Sequence, residues 1–270
     1  MTNRFAFIGL IACFLLNSIA IAQANEKSQE GWQYDVSAGF LYLPTFLGDD
    51  DYQFSVFPNL SVRYDDKFTA SFAGVEYVAL DLESFRAGPV IRYNFGRDEQ
   101  GSNPLALGDD STDLVGLGDV DGAVELGGFV QYVYENFSAT VEVRHAIGGH
   151  DGLVGDMQVK YTDSFKAFGK TLIYSVGPEA SFGSDSFNSA FFDVDSAQSL
   201  ATGISEYDTE GGLNSIGFGA SIIANLTNHV SLIGFGGYDR LLGDVADSSL
   251  VEERGSENQG VFGFALNYRF

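Results

Sequence analysis

The sequence is poor in the residues that most chemistry needs. It has a single cysteine, Cys13, so no intramolecular disulfide can form. Three histidines, His145, His150 and His229, are scattered along the chain. None lies beside a nucleophile motif and no G-x-S-x-G run occurs, so hydrolase chemistry has no visible apparatus. The same scarcity argues against a transition-metal site. Basic residues are few as well: 14 Lys and Arg stand against 37 Asp and Glu, a formal net charge of −23. So acidic a chain does not attract nucleic acid through its net field. Proline is sparse, and no apolar run after the first two dozen residues is long enough for a spanning helix. No catalytic, cofactor-binding or metal-ligating residue is expected.

The first residues read as an export signal. Arg4 precedes an apolar stretch from Phe5 to Ile21, and Ala22-Gln23-Ala24 supplies a small-residue cleavage site. The expectation is a signal peptide over 1–24 and a single barrel domain over 25–270. Cleavage removes Cys13 and Arg4 and takes the formal charge from −23 to −24.

Aromatics and glycine are plentiful: 24 Phe, 13 Tyr and 33 Gly. Their spacing carries the fold. In the last stretch, Phe262, Phe264, Leu266, Tyr268 and Phe270 share one parity, while Gly263, Ala265, Asn267 and Arg269 share the other. Strict period 2 with one apolar face is a strand. Trp32–Tyr42, Tyr52–Tyr64, Ala123–Tyr134, Phe137–Ala146, Leu153–Tyr161, Leu172–Phe182, Leu213–Leu226 and Val230–Arg240 alternate in the same way. A hairpin over 67–80 and a strand from Phe85 to Phe95 complete the set. No helical period of 3.6 competes past the leader. Mean hydropathy near zero fits a barrel whose every second residue faces the lumen. The expected fold is an all-β, antiparallel transmembrane barrel of about 12 strands, in the outer membrane and in contact with its lipid.

The connections sort by parity. One set is 43–51, the tip near Gly74, 96–121, 147–152, 183–211 and 241–258, and it holds the long connections; the other set, Asp65-Asp66, Asp81–Ser84, Glu135-Asn136, Asp163–Gly169 and Thr227–His229, is short throughout. Short periplasmic turns and long external loops are the habit of outer-membrane barrels. The four long loops hold −19 of the net charge, so the outer face should be strongly acidic. Asp109-Asp110-Ser111-Thr112-Asp113 and Asp119-Val120-Asp121-Gly122 lack the spacing of an EF-hand loop. The inward parity collects Arg63, Arg86, Arg92, Glu125, Glu142, Arg144, Asp156, Lys160 and Glu179. These are the candidate lumen lining, either as a selectivity-setting pore wall or as an ion-pair network that fills the barrel.

Several runs resemble the MipA/OmpV (MltA-interacting protein) family. They are Gly88-Pro89 with Arg92-Tyr93, Phe95-Gly96-Arg97-Asp98-Glu99, Gly116-Leu117-Gly118-Asp119, Gly148-Gly149-His150-Asp151-Gly152, and Arg240-Leu241-Leu242-Gly243-Asp244-Val245-Ala246-Asp247-Ser248, with Asn258-Gln259 and the terminal Tyr268-Arg269-Phe270. The resemblance implies a non-enzymatic outer-membrane barrel without cofactor. It also implies a scaffold for peptidoglycan-remodelling enzymes, a lytic transglycosylase (murein hydrolase) and a penicillin-binding protein (murein synthase). The residues leave two alternatives open, a small-solute channel and a surface adhesion or cation-binding protein.

Overall fold

The computed structural model describes residues 31–100, 105–107 and 111–270. The expected leader, 1–24, and Asp109-Asp110 lie outside the described residues. The strands are β1 (Trp32–Pro44), β2 (Tyr52–Tyr64), β3 (Phe68–Ser71), β4 (Gly74–Tyr77), β5 (Leu80–Leu82), β6 (Phe85–Asn94), β7 (Ala106–Leu107), β8 (Ala123–Tyr134), β9 (Phe137–Ile147), β10 (Leu153–Ala167), β11 (Lys170–Gly183), β12 (Gly212–Asn225), β13 (Val230–Leu241) and β14 (Asn258–Arg269). All pairings are antiparallel, each long strand pairs with its sequence neighbour, and β14 returns to β1. The result is a closed barrel of 12 strands. The two remaining short pieces are accessory: β5 pairs with β6, and β7 pairs with the outer end of β2. Among the described residues no helix is long and apolar enough to cross a membrane.

Closure follows from the solvent. In hydrocarbon no water satisfies an open strand edge, so only a sheet without edges spans. Across the middle of the strands the outward parity is apolar, including Val36, Phe40, Val130, Val143, Met157, Leu232, Phe264 and Leu266; His145, Arg240 and Asn258 share that face near the outer strand ends. Aromatics gather at both ends. Trp32 packs on Tyr64 at 4.9 Å, on the side of the chain termini. Tyr42 packs on Tyr52, Phe54 and Phe262 at the opposite end. Two aromatic girdles flanking an apolar band mark the membrane boundaries. This is an outer-membrane barrel.

The lumen is not a uniform polar channel. On the β1, β2 and β12–β14 side it holds a packed apolar cluster of Leu41, Leu43, Phe57, Ile223, Ile233, Phe235, Val261 and Ala265. Phe57 and Phe235 meet edge to face at 6.2 Å. They can do so because Gly39 and Gly263 leave the wall bare beneath them; a methyl there would stand 2.8 and 2.7 Å from the two rings.

Two expectations need correction. The connection Asp163–Gly169 is not a loop: β10 runs to Ala167 and β11 starts at Lys170, leaving Phe168-Gly169 as the turn. Charged and polar residues at 163–166 hid the strand, but the pair Asp163↔Tyr174 through Ala167↔Lys170 is fully laddered. The external loops are also not free of helix. They contain α1 (Asp185–Phe192), α2 (Ser196–Thr202), α3 (Gly243–Ala246) and α4 (Ser249–Arg254). None exceeds eight residues, too short for an amphipathic repeat to show in the sequence.

Replacing the lipid-facing Phe264, mid-strand in β14, by Arg is expected to lower the stability of the barrel in lipid vesicles by ~2–4 kcal/mol. Urea titration followed by tryptophan fluorescence or gel mobility measures it; an unchanged midpoint would contradict the assigned lipid face.

Candidate functional site

The inward parity of β4, β6 and β8–β10 builds one continuous ion-pair network. Arg92 holds Glu142 with both arms, Nε to Oε1 at 2.9 Å and Nη2 to Oε2 at 2.7 Å, and also reaches Glu76 at 3.2 Å. Arg144 donates to Glu125 through Nε and to Glu142 and Asp156 through Nη1, each at 2.7 Å. Glu125 further accepts from Asn94 and from Nε2 of His150, both at 3.2 Å. Arg144 and Asp156 are 5% and 1% exposed, so these charges are out of bulk water. Charges so buried persist only when paired, and truncating one partner strands the others.

Each candidate lumen residue can now be placed. Arg92, Glu125, Glu142, Arg144 and Asp156 form this network. Lys160 is buried on β10 and acts electrostatically on Glu179, which accepts from Gln158 at 3.1 Å. Arg63 belongs to a separate cluster near the termini, where Asp35 receives Arg63 at 2.8 Å, Arg269 at 3.1 Å and Asn267 at 3.1 Å. Arg86 stands at the rim, bonded to the Asp66 carbonyl and 3.3 Å from Asp81, half out in solvent. Period 2 assigns a side chain to a face but does not name its partner. Asp35, Glu76, Asp239 and His150 were therefore missed. His150 sits in a Gly-Gly-His-Asp-Gly turn, yet its ring is buried against Phe187 at 4.9 Å.

The external loops fold over this lumen as a cap with two apolar cores. Phe187, Phe191 and Phe192 of α1 pack with Val154, Leu241, Val245 and Val251. Phe46, Leu114, Leu117, Val194, Ile204 and Leu250 form the second. Side chains staple the loops across long sequence distances. Gln259 accepts from the Gly48 amide and donates to the Asp49 and Ser256 carbonyls. Arg254 donates to the Asp113 and Thr202 carbonyls, and Arg97 to that of Phe191.

The carboxylates of the cap serve largely as internal acceptors. Asp195 caps α2 and closes a capping box with Gln198. Asp193 accepts from Thr209, Asp185 from Gly211, Asp244 from Glu210, and Glu99 from the Gly116 and Gly118 amides. Asp49 accepts from Thr45 Oγ1 and from the Asp51 amide, but burial dominates and pushes its carboxyl up to about 6. A carboxyl raised in the folded state favours folding below its unfolded value, and that contribution is lost as pH rises through about 6.

Two outcomes are expected. Arg144→Met strands Glu125, Glu142 and Asp156 and should cost about 3–5 kcal/mol in urea titration, with partial recovery when Glu142→Gln is added. Asp49→Asn should gain on the wild type by about 1 kcal/mol between pH 5 and pH 8, read as the difference in unfolding midpoint; a constant difference across that range would refute the assignment.

A family model described as MltA-interacting protein MipA matches residues 36–270. Comparison with curated proteins found no match. Among solved structures, CdiB from Acinetobacter baumannii is similar at 9% identity and TM-score 0.36, over 90% of this chain and 60% of that one. The outer membrane protein OprD from Pseudomonas aeruginosa is similar at 11% identity and TM-score 0.35, over 88% and 65%. OprG from the same organism is similar at 10% identity and TM-score 0.26, over 90% and 98%. The chain thus spans less than two thirds of the length of CdiB and OprD. The family match runs from the fifth residue of β1 to the end of β14 and takes in every described part of the barrel and cap beyond that point, so the chain belongs to the MipA (MltA-interacting protein) family.

Proposed function

We propose that this protein is a non-enzymatic barrel that docks a murein-cleaving enzyme at its periplasmic face, with the β10–β11 hairpin as the contact. The family's description names an enzyme partner, MltA. The observation that carries the reading is the hairpin itself. The β9 ladder ends at Tyr161↔Phe137 and the β12 ladder at Leu172↔Ala224, so residues 163–171 stand beyond the wall. At its tip Phe168 is 98% exposed with φ +53°. A bulky residue in the left-handed region costs of order 1 kcal/mol or more, and such outliers concentrate at functional positions. Phe165 and Lys166 flank it. Exposed aromatics at a projecting tip are the side chains that interfaces enrich. The hairpin alone covers less than the ~1,200 Å² of a stable interface, so the complex is of the transient class.

The periplasmic enzyme classes that suit this reading are a lytic transglycosylase and a penicillin-binding protein working on one strand of murein. The non-catalytic reading is supported by the histidines: Nδ1 of His150 accepts from the Gly152 amide while Nε2 faces Glu125, and His229 bonds the Arg269 carbonyl. Neither is paired with a hydroxyl nucleophile. The small-solute channel loses support from the paired lumen charges, the apolar cluster and the cap. The cation-binding surface loses support because the loop carboxylates hold their own backbone.

With the mature barrel immobilised in nanodiscs, a purified MltA-type transglycosylase should bind, and Phe165→Ser with Phe168→Ser should weaken binding at least about tenfold while the barrel stays folded. Wild-type silence would sink the scaffold reading; equal binding by the variant would move the contact elsewhere on the rim.

A further inference from the structure

Between the ion-pair network and the cap lies a cavity of about 50 Å³, room for roughly three or four water-sized centres. Asp156, Glu179 and Asp239 line one side of it. Leu47, Phe182, Phe187 and Leu241 line the other.

Asp239 is 6% exposed and has no hydrogen-bond or ion-pair partner among the described residues. The charged neighbours that act on it, Glu179 and Asp156, bear its own sign. Asp156 spends Oδ2 on Arg144, while its Oδ1 is buried and unpartnered. The imbalance is general in this part of the lumen. Arg92, Arg144 and Lys160 face Glu76, Glu125, Glu142, Asp156, Glu179 and Asp239. His150 is already engaged on both ring nitrogens, Nδ1 accepting a hydrogen bond from the Gly152 amide and Nε2 facing Glu125. Buried carboxylates in excess of cations are met by a counter-charge or by a proton, and a bound cation can supply either through its own N–H groups.

The wall is also shaped to leave space. Gly217, Gly219 and Gly237 share the inward parity on β12 and β13, with Gly217 opposite Asp239 and Gly219 opposite Gly237. A methyl at Gly217 would stand 2.1 Å from Asp239 Oδ1; at Gly219 and Gly237 it would lie 3.3 and 3.5 Å from the Glu179 carboxylate. Any larger side chain here would crowd the Asp239 and Glu179 carboxylates.

Among the described residues no group of three acidic or histidine side chains is placed to hold a metal ion directly. The cavity is mixed rather than polar: carboxylates on one side, aromatic and aliphatic carbon on the other. An ammonium with a short apolar tail satisfies both sides, its N–H groups donating to carboxylates and its methylenes leaving water. We propose that the cavity beneath the cap binds a small protonated primary amine, with Asp239 as its principal acceptor and Phe187 and Leu241 against its alkyl part.

The test uses the mature barrel refolded in detergent, with n-propylammonium chloride as probe. Sodium, potassium and tetramethylammonium chlorides at equal concentration are the controls. Calorimetry should show one saturable site, and the thermal midpoint should rise by several degrees with propylammonium alone. Asp239→Asn should bind about tenfold more weakly, having lost the charged acceptor. Leu241→Ala keeps every charge and removes part of the apolar wall, so the folded variant should bind propylammonium more weakly. Absence of a saturable isotherm, an equal response to sodium or potassium, or wild-type affinity in either folded variant would overturn the proposal.

Discussion

The meeting of the last strand with the first is the constraint on which the rest depends. A sheet in hydrocarbon cannot carry a free edge, so the whole wall exists only if β14 finds β1 in register. That register runs from Asp35↔Arg269 to Tyr42↔Phe262. It is pinned where the termini meet: Arg269 and Arg63 converge on Asp35, and Asn267 links Asp35 to Ser37. A slip by one residue would turn Phe264 and Leu266 into the lumen and Ala265 and Asn267 into lipid. The buried cluster makes that slip costly, because Asp35 would lose its cations inside a low-dielectric interior. Once the seam closes, the outer loops are brought round one mouth and can fold on each other. Gln259 on β14 then ties the loop at Gly48 and Asp49 to the one ending at Ser256.

Much of this was legible in the alternation, because lipid is a harsher judge of pattern than water. Outward positions across the middle of each strand had to be apolar or aromatic, with polar ones such as His145 and Arg240 near the outer strand ends, and most long loops had to fall on one side. Strand faces were therefore readable residue by residue. What period 2 cannot carry is partnership. Arg63 and Arg92 look alike in sequence, yet one secures the seam and the other anchors the network on β6 and β9. Arg86 shares their parity but stands near the end of β6, opposite Gln131, where its partners are Asp81 and the Asp66 carbonyl. The cap escaped notice for a different reason. Its helices are held by tertiary cores such as Phe187, Phe191 and Val245 rather than by local propensity, and a helix of two turns has no stable existence by itself.

The lumen divides its work between two kinds of matter. Aliphatic and aromatic side chains fill the half beside the seam, while ion pairs fill the half beside β8–β10. The apolar half contributes stability through burial. The charged half contributes little net stability, since desolvation offsets most of the Coulomb gain. Its effect is on geometry. Arg92 with both arms on Glu142, and Arg144 shared among Glu125, Glu142 and Asp156, fix five side chains from four strands in one arrangement. Such a lattice stiffens the wall beneath the cap, and stiffness there is what lets small unfilled space survive beside it.

The acidity of the chain reads differently once the cap is seen. Irregular loops expose backbone amides that no ladder satisfies, and a short carboxylate is an efficient acceptor for them. Asp185, Asp193, Asp195, Glu99, Asp119 and Asp244 each take one or more such amides. The negative charge of the outer face is thus in large part the by-product of loop architecture. It follows that charge-neutral replacements which keep an acceptor, Asn for Asp or Gln for Glu, should perturb these loops far less than Ala, and that the outer field of the protein is separable from its fold. The acids that do not fit this explanation are those with nothing to accept from. Among the buried acids of the described residues that is Asp239, which stands apart from the loops, on the inner wall, facing space.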